Sequence, residues 1–121
     1  MEITRNSNCG NSPKNAFIED FVVQLFSKED VKDKVVDNIC IDIAGTQVIY
    51  GIDELLIEKI FEEEILGIEV YDAISHGKKG AIDFKVHTVT GKVRELGIFL
   101  EFKSLKADRI ARLKVFISAS I

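Results

Sequence analysis

One proline, two cysteines, two histidines and no tryptophan are spread over 121 residues, and each scarcity removes a class of protein. Cys9 and Cys40 lack the paired short spacings of zinc or redox sites, so both are expected to be free thiols, and no metal or other cofactor is expected. His76 and His87 lie eleven positions apart, which fits no helical two-histidine metal motif. A phosphate loop, a dinucleotide glycine fingerprint and a Gly-x-Ser-x-Gly elbow are all missing. No stretch approaches the ~18 consecutive apolar residues of a membrane span, and Met1 to Asn8 lacks the apolar core of a secretory signal, so a cytoplasmic protein without a membrane partner is expected. Sixteen Lys+Arg against twenty Asp+Glu give a net charge of -4, which denies nucleic acid the positive field it needs.

What is present is 46% hydrophobic and 30% charged, the balance of one globular domain. Residues 1 to 11, with Asn6, Asn8, Gly10 and Asn11, read as a disordered tail, and residues 12 to 121 as the domain. Ser12-Pro13 predicts a helix start, because Ser caps the early N–H groups and Pro gives up a donor that would be unpaired. That helix runs to about Phe26, with Phe17, Phe21 and Leu25 on an aromatic-rich face. Ser27-Lys28-Glu29-Asp30 approximates a capping box and predicts a second helix to about Asp37. Alternation at Ile39, Ile41 and Ile43, then Gly45-Thr46 and Gln47 to Tyr50, reads as a hairpin. Ile52, Leu55, Leu56 and Ile60 return to helical spacing, fraying at Glu62, Glu63 and Glu64.

Two-residue alternation then predicts four strands at roughly 66 to 76, 81 to 89, 92 to 104 and 109 to 119, joined as an antiparallel meander. The fold class is α+β: three helices, all in the N-terminal half, packed on one face of a curved antiparallel sheet with a pocket between. This order, with Asp37-Asn38-Ile39, Gly45 through Gly51, Ser75 through Ala81 and Leu100-Glu101-Phe102-Lys103, resembles the nuclear transport factor 2-like (cystatin-like) superfamily, particularly its small SnoaL-like members, over about residues 13 to 119. The resemblance implies a cone with a ligand cavity, commonly a homodimer through the outer sheet face, and activities ranging from isomerase, dehydratase and cyclase to none. Ketosteroid isomerase chemistry needs a Tyr, a neutral Asp and an Asp base. The matching positions carry Phe21, Ile98 and, within one place, Asp42, so neither of the first two can donate a hydrogen bond.

Thr90-Gly91 reads as a two-residue turn pairing Val89 with Lys92, which places Asp83 opposite Ile98 and Lys85 opposite Leu96, facing the cavity. Ile82, Phe84 and Val86 would then form an outward apolar band suited to a dimer surface. Simple patterning argues the reverse, with those three turned into the core. A four-residue connection at 77 to 80 pairs Asp72 with Lys85 on the cavity face. The candidate pocket is therefore Asp72, Asp83, Lys85 and His76 for polarity, with Phe17, Phe21, Leu96 and Ile98 as apolar lining. The structural alternative for Asp72 and Lys85 is an exposed cross-strand pair, and for His76 a strand-end residue beside a turn. Three functions follow: a dimeric protein holding a small, mostly apolar molecule; a cofactor-independent lyase or isomerase with a pocket Asp as general base; or a protein-association module.

Overall fold

The computed structural model describes residues 1–5, 12–53, 55–106 and 108–118. Helix α1 (Pro13–Phe26) starts as its residues dictate: the Ser12 hydroxyl accepts the Asn15 N–H at 3.3 Å and Pro13 occupies the first turn. Ile18, Phe21, Val22, Leu25 and Phe26 fall on one side at helical spacing, and all are buried. The helix closes where Ser27 N–H bonds the Val23 carbonyl and Lys28 N–H bonds that of Leu25, with Lys28 left-handed at φ 61°.

The second helix expected over 27 to 37 does not form. Ser27 is engaged in ending α1 instead of capping a new helix, and only a 3-10 turn at Lys32–Lys34 follows. Val35 and Val36 open strand β2 (Val35–Ile43), because β-branched side chains pack well on a pleated surface and crowd a helix. The described residues thus hold two α-helices, α1 and the short α2 (Leu56–Ile60), where three were expected.

The strands β1 (Glu2–Arg5), β2, β3 (Gln47–Tyr50), β4 (Ile65–His76), β5 (Lys79–Thr88), β6 (Val93–Phe102) and β7 (Ile110–Ile117) form one sheet in the order β1-β4-β5-β6-β7-β2-β3. The β2–β3 hairpin and the β4 to β7 meander are antiparallel, as the sequence predicts. Two pairings are parallel and correct that reading: β2 with β7, and β1 with β4. Glu2–Arg5, expected in a tail, is held by that pairing and by Arg5, whose guanidinium reaches Asp20 on α1 at 2.7 Å. Positions 6 to 11, Cys9 among them, lie outside the described residues. No helix among the described residues is long and apolar enough to cross a membrane.

Register decides which side chains meet α1, and at β5–β6 it differs by one residue from the two-residue turn. Gly91 N–H bonds the Thr88 carbonyl and Thr88 N–H bonds that of Lys92, with Gly91 at φ 83°. Val89 and Thr90 are therefore the turn's central residues, and Gly91 is the left-handed residue of a three-residue loop with a bulge. His87 consequently pairs with Val93 and Asp83 with Gly97. A slip of one residue exchanges the faces of the whole strand: Ile82, Phe84 and Val86 are buried, and Asp83 is exposed.

A second irregularity acts on β4. Val70 pairs with Phe84 and Asp72 with Asp83, leaving Tyr71 as an extra residue. Ile68 and Val70 point inward before this bulge and Ala73 after it, so Asp72 turns outward. The connection from β4 to β5 is a two-residue Gly77-Lys78 turn, with Gly77 at φ 59°, and not a four-residue one; His76 pairs with Lys79.

Helix α1 fills the concave face. The Phe26 ring lies 5.1 Å from Phe84 and 6.0 Å from Phe61, both edge-on, and Phe17 packs 5.9 Å from Phe102. Helix and sheet come close together at Gly80, where a Cβ would stand 2.6 Å from Ile18 Cδ1 and 2.9 Å from Leu100 Cδ1. Both neighbours are locked in the core, so neither methyl can swing away. Gly80→Ala is expected to destabilise the fold by about 1–3 kcal/mol in urea unfolding.

Candidate functional site

The polar half of the expected pocket stands outside the cone. Asp72 and Asp83 face each other on the convex side of the sheet, both exposed. Lys85, on the same side, is opposite Glu69 and Glu95, and its ammonium lies 5.2 Å from the Tyr71 ring centroid. Hydrogen bonding to Tyr71, then the nearby Glu95 and Glu69, raises the Lys85 pKa above the ordinary lysine value. His76 is exposed at the end of β4. Asp42 also turns outward, opposite Val48 and Lys114, while Ile41 and Ile43 are buried.

The apolar half is inside, but it closes a core and leaves no hollow around itself. Phe21, Leu96 and Ile98 are each at most 1% exposed and belong to one core with Phe26, Phe84 and Phe102. Phe17 is half-buried, with Lys34 over its ring at 5.5 Å. The structure thus joins Phe17, Phe21, Leu96 and Ile98 to the core and separates them from Asp72, Asp83, Lys85 and His76 by the thickness of the sheet. The buried carboxylate among the described residues is Glu19 on α1, 4.0 Å from Arg5. No group of three or more His, Cys, Asp or Glu able to hold a metal occurs among the described residues.

A groove of about 890 Å³ lies elsewhere, between the end of α1 and the stretch that leads into α2. It exists because two connections there are not helical. Lys28 leaves α1 in a left-handed conformation, and Gly51, at φ 82°, turns the chain out of β3. Leu25, Val31, Leu56 and Ile57 supply a buried floor, and Ile52 and the 60% exposed Leu55 add an apolar wall. Lys28, Glu29, Asp30, Lys32 and Asp53 make a charged rim. No single groove residue stood out in the sequence. The available signals were Gly51 and a Ser27 that serves the preceding helix better than a following one.

Two ion pairs brace this rim. Lys28 binds Glu58 of α2, joining the two walls, and Lys59 binds Asp53 at 3.0 Å. Asp53 also accepts the Leu55 N–H at 2.8 Å, which fixes the entry to α2. The Lys28 hydrogen bond holds the Glu58 carboxyl below the usual glutamate value, and the Lys59 hydrogen bond does the same for Asp53, with the Leu55 N–H adding to it. These groups are solvent-exposed, so their pairs position the walls more than they stabilise the fold.

The arrangement of helix and curved sheet is that of nuclear transport factor 2-like proteins. A nuclear transport factor 2-like protein of unknown function from Cytophaga hutchinsonii superposes with a TM-score of 0.65 at 12% identity, covering 90% of this chain and 93% of that one. A steroid delta-isomerase from Pseudomonas aeruginosa gives 0.65 at 8% identity, covering 93% and 85%. A de novo designed protein with a curved β-sheet gives 0.69 at 16% identity, covering 90% and 88%. These likenesses are of fold alone. No protein-family model and no curated protein matches the sequence.

The ion pair across the groove makes a testable statement about pH. Because the folded Glu58 pKa is depressed, the stabilisation it contributes is present above the ordinary glutamate value and is lost as pH falls through the folded one. Side-chain carboxyl NMR is expected to show Glu58 titrating below the usual range, and Lys28→Ala is expected to move it back toward that range. An unchanged midpoint in that variant would mean that the two walls are not linked in solution.

Proposed function

We propose that this chain is a binding protein that takes a small, mostly apolar molecule in the groove between the 25 to 32 and 52 to 57 segments. The observation that carries the reading is the groove itself: about 890 Å³, apolar at its floor and charged at its rim. Small-molecule sites typically measure ~300–1,000 Å³ and combine an apolar lining with a few polar groups that orient the ligand. A filled cone interior argues against a ligand between α1 and the sheet. An isomerase or lyase reading has less support, since proton abstraction needs a base beside the bound carbon. Asp72 and Asp83 are solvated on the far side of the sheet, and Glu19 is engaged with Arg5.

Binding of the neutral fluorophore N-phenyl-1-naphthylamine tests the reading. Leu55 is exposed enough to be replaced without loss of fold, so Leu55→Asp is expected to weaken the probe's affinity by about tenfold or more, the effect of ~1.4 kcal/mol. Phe99→Asp, on the opposite surface, is expected to leave it unchanged. Equal affinity in wild type and Leu55→Asp, or no binding by wild type, would remove the groove as a ligand site.

A further inference from the structure

We propose that the end of the sheet where α1 begins is a docking surface for an anionic lipid membrane. This goes beyond the groove and does not depend on it. Hydrogen bonds and ring contacts gather the cations of this end from four separate stretches of chain. The Lys14 ammonium, in the first turn of α1, donates to the Gly77 carbonyl at 3.0 Å, which sets it beside Lys78 in the connection from β4 to β5. The Phe102 N–H bonds the Lys78 carbonyl at 2.7 Å, and the Lys103 N–H bonds that of Arg109 at 2.9 Å, so that turn and the connection from β6 to β7 lie together. Lys34 joins them through Phe17, over whose ring its ammonium stands, since Phe17 packs on Phe102. Lys106, exposed in the same β6 to β7 connection, is the sixth cation.

Charge at this end is one-sided. None of the six cations forms an ion pair among the described residues, and the carboxylates on or next to these stretches are Asp33, Asp37 and Asp108. Two more cations, Lys79 and Arg112, adjoin them on β5 and β7 with Glu101 paired between. Half of the chain's sixteen Lys and Arg therefore stand here. The opposite end carries the other sign: the Val89 N–H bonds the Glu64 carbonyl, which places Glu62, Glu63 and Glu64 beside the turn between β5 and β6. The net charge of -4 is thus the sum of a positive end and a more negative remainder. A charge distribution of this layout turns the molecule with its basic end toward a negative surface.

Leu105 selects a membrane among the possible polyanions. It is 68% exposed, the most outstanding apolar side chain at this end, and lies between Lys103 and Lys106. The Ser104 hydroxyl accepts the Lys106 N–H at 3.3 Å and so bends the chain around it. In a lipid headgroup layer a leucine reaches the acyl boundary while flanking ammonium groups stay among the phosphates. A nucleic acid strand offers that leucine no such medium and calls for exposed rings on which bases stack. The exposed rings among the described residues, Tyr50, Phe99 and Phe116, belong to the convex face and not to this tip. The expectation of no membrane partner rests on the lack of an apolar span, and a protein held at the surface needs none.

Co-sedimentation of the full chain with vesicles tests this. Wild type is expected to bind vesicles of phosphatidylcholine mixed with phosphatidylserine, to bind pure phosphatidylcholine at least about tenfold less, and to be released as salt shortens the Debye length. Each cation near such a surface is worth roughly fivefold in partitioning, so the double variant Lys103→Gln with Lys106→Gln is expected to bind about twenty-five-fold less. Leu105→Gln keeps every charge and is expected to lose about tenfold. Lys92→Gln, at the opposite end, is expected to change nothing. All four side chains are exposed, so the urea midpoints should stay at the wild-type value and separate lost docking from lost fold. A wild type that ignores the mixed vesicles, equal losses in Lys92→Gln and the double variant, or binding indifferent to Leu105→Gln would each overturn the proposal. So would tighter binding of a single-stranded oligonucleotide than of the vesicles, which would assign the patch to nucleic acid.

Discussion

The left-handed residue at Gly91 determines which chemistry this sheet shows to its helix and which to the outside. Because Gly91 takes positive φ, the turn centres on Val89 and Thr90, and β5 and β6 pair with Ile82 against Ile98 and Phe84 against Leu96. Moved by one position, the same strands would bury Asp83, Lys85 and His87 and expose Ile82, Phe84 and Val86. Desolvating two charges and an imidazole without matched partners is prohibitive beside the loss of three apolar contacts to α1. Turn geometry and burial therefore enforce the same register, and the faces of all neighbouring strands follow from it.

That register has a chemical consequence. A cone of this kind can serve acid–base chemistry only if polar groups line its concave side, and here that side is mostly aliphatic and aromatic, with Phe21, Phe26 and Phe84 in its core and Thr88 and the Glu63-paired Arg94 as the polar residues that β5 and β6 turn the same way. Asp72, Asp83 and Lys85 stand on the convex side instead. The steroid delta-isomerase and the designed protein that share this fold mark how far apart its uses lie, so the fold sets no expectation of turnover. What the helical side offers instead is a gap where α1 stops and only a 3-10 turn follows before β2.

Much of the architecture was legible in the residues. Ser12-Pro13, the spacing of Phe17, Phe21 and Leu25, and the alternation of Ile39, Ile41 and Ile43 each state one local rule, and nothing nearby contradicts it. Where two rules competed, the weaker signal misled. Ser27-Lys28-Glu29-Asp30 has the look of a cap, but Ser27 was already needed to end α1, and Val35-Val36 prefer a strand. Thr90-Gly91 fits a two-residue turn as well as the last two residues of a three-residue loop, and only the Ile82, Phe84, Val86 pattern separates them. The bulge at Tyr71 carries no glycine or proline and was not readable. It is this bulge, with the register of β5, that brings Asp72 out to meet Asp83. The candidate site was therefore the least legible part, because membership in it depends on face, and face depends on single-residue register.

The way the sheet ends bears on how it can associate. An unpaired edge of a long strand invites strand addition. Here four-residue strands flank the long ones: β1 covers Gly67–Val70 of β4, and β3 covers Cys40–Ile43 of β2. On the convex face, exposed apolar groups such as Ile74, Phe99 and Phe116 stand among charges of both signs. A strand addition would join any sheet to any other, since it uses only backbone groups. A face whose acidic and basic sides flank a central aromatic pair discriminates, accepting a surface of matching layout and rejecting like charge against like.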